Sequence, residues 1–463
     1  MDKHTFEGVL PDTSSAARTG RLRVLVWCPH VNAEGGSRLL VSLMPALAKQ
    51  PEIELIRLLV PGQTTLPALD VGPVAGLEIV PIPSRRQAFK HLRWLEASGR
   101  LFGIPGTFRL KRALRRRLWE TRWVWLLARL RELASDCDIV YAFWPHEQDY
   151  PDFTKPVVCT FQDATIFDFP EILGGDRTNL EYQRARVWFE RSSQVVVSSE
   201  ATRASLIRQF GASLGSARVI HHAILPPAGP MEESRSSPAR KLPEKYFLCL
   251  ANITAHENLD TLLIAWSRFA RRHDYPLILA GYGTELITRS LPVWPVGFQG
   301  SRLAGLVQRL GLGLELDKTV FVLGFVEDAE AASLLKGAFA LLLPTLAEGG
   351  GSFPAEEALT RGVPVCCSDI AVMREHLGQH STRTSWFDPL MPDSITAALD
   401  SMIDDYADYK ASAVQGMSDP RPSWDDVAQA YVDVFLAAAP RSSDHSIRQQ
   451  GTPGGGHASR EDN

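Results

Sequence analysis

Little in this 463-residue chain points to metals, membranes or nucleic acids. Its six cysteines, at 28, 137, 159, 249, 366 and 367, include no C-x-x-C spacing. That excludes a zinc ribbon or a disulfide framework and suits reduced, mostly buried thiols. Cys366-Cys367 lie in an apolar strand pattern and read as inert. Neither His30 nor His221-His222 has Cys or carboxylate partners at metal spacing, so all three read as structural or solvent-facing. No run of 18 apolar residues occurs, so no membrane span is expected. The opening MDKHTFEGVLPDTSSAARTG lacks the apolar core of a signal peptide, and a cytoplasmic location is the expectation. A net charge of −4 is too small for global attraction to nucleic acid, and no nucleic-acid module is recognisable. Gly281-x-Gly283 follows a strand pattern, but the rest of a dinucleotide fingerprint is absent.

What is present is ordinary globular material in a regular alternation. Hydrophobic residues make up 45% and charged residues 22% of a chain long enough for two or three cores. Apolar runs at Arg23–Pro29, Asp138–Trp144, Pro156–Phe161 and Gln194–Ser199 alternate with helical spacing, as in SRLLVSLMPALAKQ. The alternation restarts at Tyr246–Asn252, Leu277–Gly283, Thr319–Phe325, Phe339–Thr345 and Pro364–Asp369. Continuous apolar strands between helices predict parallel sheets covered on both faces. The expected fold is α/β, with two doubly wound Rossmann-like domains facing across a cleft. The expected boundaries are a flexible leader at 1–20, a first domain at 21–228, a Pro/Ser-rich linker at 229–243 and a second domain at 244–422. A helix at 423–440, from SWDDVAQAYVDVFLAAA, crosses back to the first domain, and 441–463 is a disordered tail.

Between Arg85 and Arg131, Lys and Arg far outnumber acids, with Trp and Leu interleaved. The plain reading is a core-facing helix with a solvated basic side. The functional reading is peripheral contact with an anionic membrane or an anionic acceptor.

The stretch PTLAEGGGSFPAEEALTRGVPV carries the clearest chemistry. A strand ending at Leu343 delivers Glu348 and Gly349-Gly350-Gly351 to the carboxyl edge of a sheet. A helix then starts at Phe353 or Pro354. Glycines let backbone N–H groups face a ligand, and the helix mouth favours an anion such as a diphosphate. A carboxylate facing a diphosphate would be repelled, so Glu348 fits contact with sugar hydroxyls better. A glycine turn capping a helix would explain the glycines alone, without the acids on both sides.

The stretch FALLLPTLAEGGGSFPAEEALTRGVPVCCSD resembles the donor-site signature of the family-4 retaining glycosyltransferases, which have the GT-B fold. RVLVWCPHVNAEGGSRLL, PVVCTFQD, LCLANITAHENLDTLLIAW, LILAGYGTE and VFVLGFVEDAEAASLLKGAF resemble further family segments in the same order, over about residues 22–440. The resemblance implies a retaining hexosyltransferase that moves a hexose from a nucleoside-diphosphate sugar to a saccharide or lipid-linked acceptor hydroxyl. It implies front-face attack, no obligatory metal and no cofactor beyond the nucleotide-sugar co-substrate. Glu348 matches the family's first glutamate, beside the donor sugar. Counting seven intervening residues makes Glu356 the second glutamate. Anchoring on the downstream EAL and Gly362-Val363-Pro364 makes it Glu357, with one extra glycine in the loop. A loop absorbs an insertion more easily than a packed helix changes register, which favours Glu357 as the ribose clamp. Phe325 and Val326 match the turn that holds the nucleobase, and Gly35-Gly36 the loop that approaches the diphosphate. Ser352 and Phe353 complete the donor loop.

Two positions depart from the family. Its basic pair at the start of the donor domain reads Asn252 and Glu257 here, with Arg38, His256 and Arg374 as candidate substitutes. The acceptor-side His-Asp reads Gln162-Asp163, and a glutamine cannot carry a proton. A non-catalytic sugar-nucleotide-binding scaffold of the same fold is the alternative.

Overall fold

The computed structural model of the chain describes residues 20–28, 35–61, 74–82, 128–172, 175–223, 242–288 and 298–439. His30, the leader up to residue 19, residues 229–241 of the linker, the 441–463 tail and most of the Arg85–Arg131 stretch lie outside them.

Two all-parallel sheets form the frame. The first contains β1 (Leu22–Trp27), β2 (Ile53–Pro61), β3 (Leu77–Ile82), β4 (Ile139–Ala142), β5 (Val157–Phe161), β6 (Gln194–Val197) and β7 (Arg218–Val219), ordered β3-β2-β1-β4-β5-β6-β7. The second contains β8 (Phe247–Leu250), β9 (Leu277–Ala280), β10 (Val320–Gly324), β11 (Ala340–Leu343), β12 (Val365–Ser368) and β13 (Ser385–Phe387), ordered β10-β9-β8-β11-β12-β13. Central strands such as IVYA, VVCTF and ALLL are wholly buried, because separate apolar clusters pack on each face of each sheet.

Strands β2, β3, β7 and β13 go beyond those legible as apolar runs. β2 carries Arg57, whose charge is matched by Glu78 of β3 at 2.7 Å and by Asp136 at 2.6 Å. β7 and β13 have only two and three residues, too few to show a pattern.

In both sheets the strand order reverses next to the first strand, at β1/β4 and at β8/β11. Loops leaving those carboxyl ends diverge and open a crevice. The loops after β8 and β11 therefore line one wall of the crevice, and those after β4 and β5 face them.

The helix Trp424–Ala438 returns to the first domain, where Trp424, Val427, Tyr431 and Phe435 join the core made by β1 and the helix Gly35–Ala48. Tyr141 of β4 meets the rings of Tyr431 and Phe435 at 5.3 Å each, and the Thr160 hydroxyl lies 3.2 Å from that of Tyr431. Ser423 caps the helix: its hydroxyl accepts from Asp426 N, and its own N–H donates to the Asp426 carboxylate. The apolar stripe of the SWDDVAQAYVDVF segment thus ties the end of the second domain to the first.

Candidate active site

The loop after β11 is held from beneath. Leu346 N donates to His256 O at 2.7 Å, and the buried Thr345 hydroxyl donates to Ala347 O at 2.8 Å. These bonds fix Glu348, half-buried, above the loop that carries Glu257. Burial, followed by the carboxylates of Glu257 and Asp163, pushes the Glu348 carboxyl well above its ordinary range. Glu257 lies close enough for its charge to act on both Glu348 and Cys249 of β8. Asp163 approaches from the first domain. Among the described residues, no group of His, Cys, Asp and Glu has a geometry that would hold a metal ion.

The three glycines pack directly on their surroundings. Gly349 O accepts from Ser199 Oγ at 2.9 Å and from Thr202 Oγ1 at 3.2 Å, both in the first domain. A Cβ on Gly349 would overlap the carbonyl oxygen of Gln162. One on Gly350 would lie 2.6 Å from His222 Cδ2 and 2.9 Å from Ser198 Cβ. Gly351 has φ +120° and faces the His376 imidazole, so a side chain is excluded by both conformation and space. The loop is thus glycine-rich partly because the two domains meet along it.

The adjacent glutamates part company. On the helix Phe353–Leu359, which Ser352 caps through Ala355 N, Glu356 turns inward and is buried. It bonds to His380 Nε2 and receives Arg421 Nε at 3.0 Å, with His376 Nε2 at 3.3 Å. Burial opposes ionisation there, yet His380, His376 and Arg421 together hold the Glu356 carboxyl below its ordinary range. Glu357 faces the cleft, where Arg38 of the first domain donates to it at 3.0 Å. Arg38 also reaches Asp328 at 2.9 Å and lies 5.8 Å from the centre of the Phe353 ring. The structure brings Glu348, Glu357 and Arg38 to the cleft; it does not bring Glu356 there.

The other sequence-derived residues fall as follows. Gly35 and Gly36 open the helix Gly35–Ala48, with Gly36 against the Trp144 ring. Asn252 spends its side-chain oxygen on Tyr282 N at 2.9 Å. Gly324, at φ +76°, turns the chain into Phe325, 63% exposed, while Val326 packs on the core; Tyr282 is 68% exposed at the same sheet edge. Arg374 is engaged by Asp369 at 2.6 and 2.7 Å and stacks 4.0 Å over Trp386, and burial lowers the pKa of His256. On the acceptor side, Gln162 donates to Phe143 O at 3.3 Å, and Asp163 accepts from Thr165 N at 2.9 Å.

Several residues escaped the sequence reading. His146 is buried, with Nδ1 3.2 Å from Glu181 and Nε2 3.2 Å from Asp163 O, so it buttresses the Gln162-Asp163 turn. Although burial works against it, Glu181 raises the pKa of His146. Glu375 receives Glu200 N at 2.7 Å, Ala201 N at 2.8 Å and His221 Nε2 at 2.7 Å, tying the two domains together. Burial, reinforced by neighbouring histidines, pushes His222 down to about 4. Burial also brings His376 to about 4. The doublet His221-His222 was the visible signal for the Glu375 contact, whose partner lies 154 positions away.

Two switch-point crevices facing each other, with a carboxylate-bearing glycine loop closing between them, define a GT-B architecture. Residues 230–416 match the model of the group 1 glycosyl transferases. The chain is 26% identical over 256 residues to the uncharacterized glycosyltransferase MJ1607 of Methanocaldococcus jannaschii, a match over 53% of this chain and 60% of that protein's length. It is 25% identical over 302 residues to the O-antigen chain mannosyltransferase B of Escherichia coli, covering 62% of this chain and 72% of that one. Among solved structures, it resembles Anabaena Alr3699/HepE in complex with UDP and glucose, with a TM-score of 0.60, 15% identity and coverage of 90% of this chain and 100% of that one. Sucrose-phosphate synthase from Thermosynechococcus elongatus matches at a TM-score of 0.56, with 15% identity and the same coverage.

Proposed function

We propose that this protein transfers a hexosyl group from a nucleoside-diphosphate sugar to an acceptor hydroxyl with retention of anomeric configuration. The observation that carries the reading is that two second-domain carboxylates face first-domain groups across the cleft: Glu357 pairs with Arg38 at 3.0 Å, and Glu348 lies within reach of the Asp163 charge. In this reading Glu348 takes donor-sugar hydroxyls and Glu357 the ribose. Arg38 swings from its two carboxylates to the diphosphate in place of the missing basic pair, joined by N–H groups of the 349–353 loop. The acceptor oxygen bonds to the anomeric carbon as the bond from that carbon to the phosphate oxygen breaks. The diphosphate leaves with that electron pair and accepts the acceptor's proton. The closed loop excludes water that would otherwise hydrolyse the donor. UDP and glucose in the Anabaena neighbour support a uridine nucleotide as the first donor to test.

No helix among the described residues is long and apolar enough to cross a membrane. Peripheral attachment through Arg85–Arg131 is therefore a separate proposal, tested by co-sedimentation with anionic vesicles at low salt.

Asn252 and Glu257 favour a second reading, a scaffold that binds sugar nucleotides without turning them over. Incubation with UDP-, GDP- and ADP-sugars plus saccharide acceptors, with NMR of the product's anomeric proton, separates the two. Turnover with retention supports the enzyme. Binding with neither transfer nor hydrolysis, across all donors, supports the scaffold.

A further inference from the structure

A cavity of about 160 Å³ lies between the domains, with Glu348 in its wall. Its walls come from the helix Glu200–Phe210 and the segment 164–169 on one side, and from residues 346–348 and 370–372 on the other. The space exists because the facing wall positions are small: Ala204 and Ala371, both solvent-exposed, stand where larger side chains would fill it. Ile370 supplies an apolar surface. A polar cluster occupies the wall away from the donor loop. Ser205 is buried and donates to Asp168 Oδ2 at 2.7 Å, and Arg208 Nη2 lies 3.9 Å from Asp168 Oδ1. Ser205 also reaches Asp168 Oδ1 at 2.5 Å and Gln209 Nε2 lies 3.5 Å from it, while the carboxylate's outer face and the exposed Arg208 guanidinium can still bond a ligand.

We propose that this cavity is the acceptor subsite and takes one pyranose-sized, uncharged saccharide unit. A carboxylate beside a guanidinium presents acceptors and donors together, which suits neighbouring hydroxyls on a neutral ring. The opposed charges give no net pull on a phosphate or an acyl chain. The apolar wall accepts the C–H face of the ring, and Glu348 marks the end at which the reacting hydroxyl meets the donor. The subsite's role as acceptor rests on the transferase reading, but its occupancy by a sugar does not.

Saturation-transfer NMR with a panel of methyl glycosides (glucoside, galactoside, mannoside and N-acetylglucosaminide) tests it, with glycerol 3-phosphate as the charged control. At least one glycoside should receive saturation from the wild-type protein, and glycerol 3-phosphate none. Ala204→Trp, which fills the cavity from an exposed position, should abolish that signal. Asp168→Asn, which keeps the shape, should weaken glycoside binding at least tenfold. UDP, GDP and ADP titrations should be unchanged in both variants. Unaltered glycoside binding in Ala204→Trp, or no binding of any glycoside by the wild type, overturns the subsite. Either result leaves the transferase reading intact if donor hydrolysis persists. Failure of every nucleotide and nucleotide sugar to bind would sink that reading while glycoside binding still stood.

Discussion

Arg38 Nη1 in the first domain donates to Glu357 Oε1 in the second at 3.0 Å, 319 positions away in sequence. The pair crosses the cleft at the edge where a donor diphosphate would lie. Arg38 is 39% exposed, so the pair adds about 0–1 kcal/mol to stability. Arg38→Ala should therefore leave the unfolding midpoint almost unchanged while reducing kcat/KM for the nucleotide sugar by roughly 100-fold, as loss of a transition-state cation does. Arg38→Lys should recover part of the activity. Unchanged kinetics in Arg38→Ala would remove Arg38 from the donor site.

Glu356, one residue earlier, should behave in the opposite way. It is buried against Arg421, and removing one partner of a buried pair leaves an uncompensated charge. Arg421→Met should cost about 3 kcal/mol, against less than about 1 kcal/mol for Glu357→Gln, whose partner Arg38 is solvent-exposed. Denaturant titration of both variants decides it, and equal costs would contradict the inward and outward assignment.

Glu348 links the site to pH. A carboxyl whose folded pKa lies above its unfolded value stabilises most below that unfolded value, about 4.3 for Glu. The contribution is lost as pH rises through the raised folded pKa. The wild-type melting temperature should therefore fall on going from about pH 5 to alkaline pH, and Glu348→Gln should flatten that slope. Glu257→Gln should flatten it in part by removing one of the two repelling carboxylates. The same Glu348→Gln protein should lose most transfer activity. A pH slope identical to wild type would mean that Glu348 titrates normally.

His222 and His376 act on the acid side. Both are held down to about 4, so the fold favours their neutral forms. Their contribution is complete above the unfolded value of about 6.5 and diminishes as pH falls from there towards 4. Because they press on Gly350 and Gly351 from the two domains, acid should loosen the domain interface. His376→Gln should reduce the acid loss of stability, measured by melting between about pH 7 and 4. An unchanged acid limb would assign that loss to other groups.

Gly351→Ala meets both an unfavourable φ of +120° and the His376 ring. A cost of about 2–3 kcal/mol is expected, concentrated on domain closure and transfer rate. Gly175→Ala, with nothing within 4 Å of the added carbon, is the neutral control.

Much of the molecule was legible in the chain because parallel strands buried on both faces must be continuously apolar. The runs around β1, β4, β5, β8, β9, β10, β11 and β12 announce themselves, as does the stripe of the helix Trp424–Ala438. Short or charged strands such as β13 and β2 do not, since three residues carry no period and Arg57 needs Glu78 and Asp136 beside it.

At the site, local pattern marked Glu348 and the glycines, because a strand end, a flexible loop and a helix cap are contiguous in sequence. Only the tertiary structure separates Glu356, turned inward, from Glu357, turned toward Arg38. Neighbours on a helix point about 100° apart, and what waits in each direction comes from distant segments: Arg421 and His380 for one, Arg38 for the other. The same holds for Glu257, whose charge matters because folding brings it, like Asp163, near Glu348. Sequence determined the frame through hydrophobic period. Long-range packing determined which charges meet in the cleft.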